Sequence, residues 1–124
     1  MEPSVFDRVG GWSFFERLVE GFYVGVAADP ILRPMYPEDL GDSRRHLVLF
    51  LAQYWGGPRE YEELRGHPRL RMRHQPFPVT RQARDAWLAA MMHSLDALRP
   101  EIDDEVYQEM SDYFTTSARQ LRNV

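Results

Sequence analysis

The residues best suited to chemistry in this 124-residue chain lie in Leu70-Arg71-Met72-Arg73-His74-Gln75-Pro76-Phe77. One histidine stands between arginines and a proline–aromatic step, and the chain has no cysteine. The stretch follows a Gly56-Gly57-Pro58 loop and precedes a helical pattern that carries Trp87. That arrangement suits a protein that holds a metal cofactor by one side chain and guards the opposite face with others. A lone imidazole can be the axial ligand of haem iron, which needs only one protein nitrogen. The competing reading is a capping or partly buried structural histidine, and spacing alone favours that reading.

Other residues narrow the chemistry. A zinc site wants several ligands at close spacing. The four histidines, His46, His67, His74 and His93, do not supply it, because His67 and His74 are separated by Pro68 and share no assured helical face. Arg65, Arg69, Arg71 and Arg73 form a short cluster suited to a small anion such as a carboxylate or phosphate. Haem carries two propionates, and an arginine fork matches a carboxylate. Tyr23, Tyr36 and Trp87 are polar-tipped aromatics at helical spacing. Each taken singly reads as core. Together they read as donors that, if buried in an apolar pocket, need an acceptor such as a dipolar ligand. There is no glycine-rich phosphate loop, serine elbow or cysteine nucleophile, and Glu62-Glu63 and Asp103-Asp104-Glu105 read as solvated or helix-start charges.

The chain's size and composition bound what can position these residues. At this length one domain spanning 1–124 is expected, burying roughly two-thirds of the unfolded surface. Hydrophobic residues are 44% of the chain, enough for a core. A net charge of −4 argues against nucleic acid as the main partner. Without cysteine, disulfides, haem–thiolate and cysteine-held iron–sulfur chemistry are excluded. Met1 to Gly11 lacks a signal pattern and no apolar run is long enough to span a bilayer, so a cytoplasmic protein without a membrane partner is expected.

The periodicity is helical throughout, and no β-sheet is expected. Residues 4–9 form a short first helix, stopped by Gly10-Gly11. Ser13 with Glu16 reads as a capping box for a helix burying Phe15, Leu18, Val19, Phe22, Tyr23 and Val26, which Asp29-Pro30 ends. Pro30, Pro34 and Pro37 allow only a turn or two over 30–41. Asp42 or Ser43 caps the next helix, whose apolar face is Leu47, Phe50, Leu51 and Tyr54. Residues 59–79 are polar and arginine-rich, a long weakly structured stretch of the kind that is often functional. Thr80 caps a helix with Ala83, Trp87, Met91, Leu95 and Leu98 inward, and Pro100 separates it from a last helix capped by Asp103. Val106, Met110, Tyr113, Phe114 and Leu121 mark that helix's inner face. Four substantial helices result.

These residues, read as motifs, resemble the truncated haemoglobins, and within them group II, the O-type branch. The resemblance covers nearly the whole chain. It runs through Val9-Gly10-Gly11, Phe22-Tyr23 and Leu32-Arg33-Pro34-Met35-Tyr36-Pro37. Its most specific parts are Phe50-Leu51-Ala52-Gln53-Tyr54-Trp55-Gly56-Gly57-Pro58 and Gly66-His67-Pro68-Arg69-Leu70-Arg71-Met72-Arg73-His74, with Arg84-Asp85-Ala86-Trp87-Leu88 completing it.

The resemblance implies an all-α, two-over-two helical globin fold around haem b. By that likeness His74 is the proximal iron ligand through Nε2, Arg73 binds a propionate and Tyr61 hydrogen-bonds one. Tyr23, Tyr36 and Trp87 match the polar distal trio. Leu47 and Phe50 match apolar lining residues, and Leu51, Leu70, Phe77 and Met91 join the cofactor-binding set. Ser43 falls where other globins place a distal histidine, and its short side chain makes a weak gate. His46 lies one turn on, where other members carry a longer basic residue. Leu47 stands where some relatives have glutamine, which leaves the distal hydrogen bonding to Trp87 and the tyrosines. The function implied is binding of O2 or another small diatomic ligand at ferrous iron, with slow release. The alternative is a haem redox enzyme, a nitric-oxide dioxygenase or peroxidase-like activity fed by an external reductase. A small helical interaction module without haem is the third reading, and the oligomeric state is left open.

Overall fold

A computed structural model describes residues 3–59 and 79–121, and over these the chain is helical with no strand. The helices are α1 (Val5–Arg8), α2 (Trp12–Ala28), α3 (Gly41–Tyr54), α4 (Arg81–Ala97) and α5 (Asp104–Leu121). Short 3₁₀ turns occupy Arg33–Met35 and Arg99–Glu101, each opening on the proline that prevents a longer helix. No helix among the described residues is long and apolar enough to cross a membrane.

Local chemistry accounts for most boundaries. Ser4 accepts from the Asp7 amide at 3.2 Å and starts α1. Thr80 accepts from the Ala83 amide at 3.1 Å, and Asp103 accepts from the Val106 amide at 2.8 Å. Both act as the N-caps that the sequence suggests. The Ser13 capping box does not form. Gly11, at φ 86°, is the N-cap, and α2 begins at Trp12. Two consecutive left-handed glycines turn the chain sharply enough for Trp12 to meet Phe6 edge-on at 5.5 Å, and Ser13 is drawn into the first turn. Neither Asp42 nor Ser43 caps α3 either. Leu40 precedes that helix, and the Asp39 carboxylate accepts from the Gly41 amide at 2.8 Å, which leaves Asp42 to face the helix dipole from within the first turn.

The buried faces follow the helical period. α2 buries Phe14, Phe15, Leu18, Val19, Phe22, Tyr23 and Val26. α4 buries Ala83, Trp87, Met91, Ser94 and Leu95, and α5 buries Val106, Met110, Phe114, Ser117, Ala118 and Leu121. α3 departs from expectation at its end. Leu47 is half-buried and Tyr54 is 55% exposed, while Trp55, the C-cap, is 5% exposed. The indole takes the inner place because its N–H reaches the Glu109 carboxylate at 2.6 Å and its ring lies on Phe15, Tyr113 and Phe114. Tyr54 is left outside, its ring 4.2 Å from that of Tyr113.

Helices pack as two pairs, α2 with α3 and α4 with α5, and the pairs join where α2 crosses α4. That crossing is close. A Cβ on Gly21 would overlap the Ser94 hydroxyl, and one on Gly25 would lie 3.1 Å from the Ala90 Cβ. The Ser94 hydroxyl donates to the Leu18 carbonyl at 2.6 Å, an inter-helix bond inside the core. At the surface Arg8 pairs with Asp103 and Glu105, and Arg17 with Glu101. The Val106 amide first, and Arg8 second, hold the Asp103 carboxyl below the usual carboxylate range.

Two outcomes are expected. Gly21→Ala gains about 1 kcal/mol of helix propensity but forces apart the α2–α4 crossing, so thermal unfolding should show a net loss of about 1–3 kcal/mol. The depressed Asp103 value means that the unfolded chain binds this proton more readily. Its contribution to stability is therefore complete above the ordinary carboxylate pKa of about 3.9 and is lost as pH falls through the folded value. Asp103→Asn keeps a cap acceptor but not the charge, and denaturant titrations should show a shallower acid loss than in the parent chain.

Candidate functional site

Three elements converge on one wall of the fold. α2 supplies Tyr23, the segment after it supplies Tyr36, and α4 supplies Trp87. Tyr23 is 4% exposed and Trp87 6% exposed. The Tyr23 and Tyr36 rings meet edge-on, with centroids 5.6 Å apart and planes at 87°. Phe22 lies beneath, 4.9 Å from Tyr23 and 5.9 Å from Trp87. Consecutive residues on α2 thus touch both polar aromatics, and this closeness follows from the α2–α4 crossing one turn away.

The polar tips lie close to one another. The Trp87 indole approaches the Tyr36 hydroxyl, and the Ser43 side chain approaches the Tyr23 phenol. Burial pushes both phenols well above the ordinary tyrosine range, in Tyr23 reinforced by the neighbouring Tyr36. An indole is a donor only, so toward it the Tyr36 oxygen can only accept, and its own proton remains available for another acceptor. A cavity of about 20 Å³ lies beside them between Leu32, Met35, Tyr36, Ala83 and Trp87. That is room for about one water-sized molecule.

The remaining candidates divide. Phe50, Leu51 and Met91 are buried, Met91 completely, and Leu47 is half-buried on α3. Ser43 and His46 are half-buried at the start of α3, and His93 is exposed. His74, Arg73, Tyr61, Leu70 and Phe77 lie outside the described residues. Two contributors were not legible in the sequence. Ser43, read there as a weak gate, holds Tyr23. Arg33, part of a quoted motif but given no role, binds the main chain around Tyr36. Nothing in the spacing marks either, because each acts through a partner set by the turn of the chain.

The wall suits a flat apolar cofactor with a small polar ligand on its face. Leu47 and Phe50 on α3 and Met91 on α4 are apolar, and the trio offers neutral donors held among aromatic rings. These residues fit the distal half of a haem site. Comparison with known proteins points the same way. The family described as bacterial-like globin matches residues 4–120. The group 2 truncated haemoglobin YjbI of Bacillus subtilis is 39% identical over 113 residues, covering 91% of this chain and 84% of that protein. The haemoglobin of Chloroflexus aurantiacus superposes with a TM-score of 0.94 at 45% identity, over 99% of this chain and 100% of that one. The group II truncated haemoglobin of Bacillus anthracis gives 0.92 at 34% identity, over 100% and 94%. These neighbours have the two-over-two helical fold, and the same architecture is present here. Helical pairing, polar wall and sequence likeness agree: the chain belongs to the bacterial-like truncated globin family, which implies a haem cofactor.

Proposed function

We propose that this globin binds O2, or another small diatomic ligand of similar polarity, on haem b and releases it slowly. The observation that carries the reading is the meeting of Tyr23, Tyr36 and Trp87 on one wall, with Tyr36 and Trp87 lining a cavity of one small molecule's size. Haem iron, when bound, supplies the coordination position at which such a ligand attaches reversibly. His74 is the proximal ligand in this reading, which the family likeness supports. In the same reading Arg73 and Tyr61 bind propionates, and Leu70 and Phe77 belong to the cofactor-binding set.

The chain's own groups decide how firmly the ligand is held. O2 on ferrous haem carries partial negative charge and favours donors in a dry site. In this reading the Trp87 indole, close to the Tyr36 hydroxyl, polarises the phenol and makes its proton a stronger donor. Tyr23, oriented by Ser43, offers a second phenol on the same wall. Ser43 itself is too short to replace a distal imidazole, so stabilisation falls to the aromatic trio. With Leu47 adding no polar group, each donor counts for more. A hydrogen bond to a charge-bearing ligand contributes about 1.5–3 kcal/mol.

Three measurements test this. Purified protein should show a Soret band that His74→Ala weakens strongly or abolishes, and haem loading should raise the melting temperature by mass action. Trp87→Phe or Tyr36→Phe should speed O2 dissociation about ten- to a hundredfold in stopped-flow displacement; an unchanged rate in both variants sinks the donor assignment. Because burial raises the Tyr23 and Tyr36 pKa values, both phenols stay protonated beyond the point at which an exposed tyrosine ionises, about pH 10. The O2 dissociation rate should therefore stay flat as pH rises to that value.

A further inference from the structure

Tyr36 is the one member of the trio that no α-helix orients, so something else must hold it. We propose that Arg33 is the positioning residue of the Tyr36 phenol and, through it, of ligand retention. The inference rests on the reading of Tyr36 as a donor to the bound ligand.

The segment that carries Tyr36 begins where α2 stops. The Asp29 carboxylate accepts from the Ile31 and Leu32 amides at 2.8 and 3.2 Å, and the Asp29 carbonyl accepts from the Arg33 amide at 2.9 Å. Leu32, 2% exposed, anchors this turn in the core. Pro34 then fixes one dihedral of the 3₁₀ turn, and Pro37 drives the residue before it into the extended region. Tyr36 has φ −120° and ψ 154°, as that restriction demands.

Arg33 closes the segment. Its Nη1 donates to the Tyr36 carbonyl at 3.3 Å and to the Pro37 carbonyl at 2.9 Å, and its Nη2 donates to the Glu38 carbonyl at 2.7 Å. The Tyr36 amide donates back to the Arg33 carbonyl at 3.3 Å. Tyr36 is thus bonded to one residue through both its amide and its carbonyl, and the chain for two residues beyond curls around the same guanidinium. Rotating the Tyr36 main chain would break several of these bonds together. The ring above has no such freedom either, since Tyr23 meets it edge-on and the Trp87 indole lies close to its hydroxyl. A donor misplaced by about 1 Å loses much of its effect on a bound group, so the clamp matters to function and not only to the loop. A planar guanidinium can serve three carbonyls in fixed directions, whereas a lysine ammonium is a point charge on a flexible stem.

The test uses the haem-loaded protein with O2 and CO as probes. CO carries less negative charge than O2 on haem, so its release depends less on donors. Arg33→Ala should speed O2 dissociation about tenfold while leaving CO dissociation within about twofold. The infrared C–O stretch of the CO complex should move toward its position in Tyr36→Phe. Arg33→Lys should lie between parent and Arg33→Ala. In a Tyr36→Phe background Arg33→Ala should add less than about twofold, because both changes remove the same interaction. The proposal is overturned if folded, haem-loaded Arg33→Ala keeps the parent O2 rate and C–O stretch. It is equally overturned if Arg33→Ala acts as strongly without the Tyr36 hydroxyl, which would mean general loosening. Should Arg33→Ala not fold, Arg33→Lys and Arg33→Gln carry the same comparisons. Failure of the haem reading would be visible separately, as the absence of a Soret band in the parent protein.

Discussion

The structure depends on how closely α2 and α4 approach. Gly21 and Gly25 put no side chain of α2 at the crossing, which leaves room there for Ser94 and Ala90 of α4, and Ser94 uses that closeness to bond the Leu18 carbonyl. Backbones brought this near let Phe22, between the two glycines, reach across to Trp87, while Tyr23 beside it meets Tyr36. A larger residue at either glycine would push the helices apart by a fraction of a side chain. The wall that carries the polar trio would then open, because close-packed interiors transmit such shifts instead of absorbing them.

Placing three polar-tipped aromatics in an apolar wall has a cost. An unpartnered hydroxyl or N–H buried from water is unfavourable by about 1–3 kcal/mol. The fold lowers that cost internally by bringing Trp87 close to Tyr36 and Ser43 close to Tyr23. Burial also keeps both phenols neutral. A neutral phenol is a donor and a phenolate is not, so the desolvation that makes these groups hard to bury also keeps them able to donate.

The segment between α2 and α3 shows how a stretch with little regular structure can still be well defined. Prolines remove dihedral freedom, Asp29 and Asp39 satisfy amides at its two ends, and Arg33 satisfies carbonyls in its middle. Backbone polar groups that no helix pairs are thereby paired by side chains. At the far end of α3, Trp55 and Tyr54 exchange the places that periodicity suggests. The indole has a carboxylate to reach, and the helix has ended.

The sequence by itself determined the helices, the caps at Thr80 and Asp103, and most of the inward-facing residues. These follow from interactions among residues a few positions apart, which spacing displays directly. It also singled out Tyr23, Tyr36 and Trp87 by their polar tips, though their distal role came from likeness to a family and not from spacing. The tertiary structure alone decided that these three meet, that Gly11 and Leu40 precede α2 and α3 in place of side-chain caps, and that Trp55 goes in while Tyr54 stays out. It alone gave Ser43 and Arg33 their partners. Each of these outcomes turns on groups brought together by chain reversal or helix crossing, and the energy of such a contact belongs to the pair, not to either residue's place in the sequence.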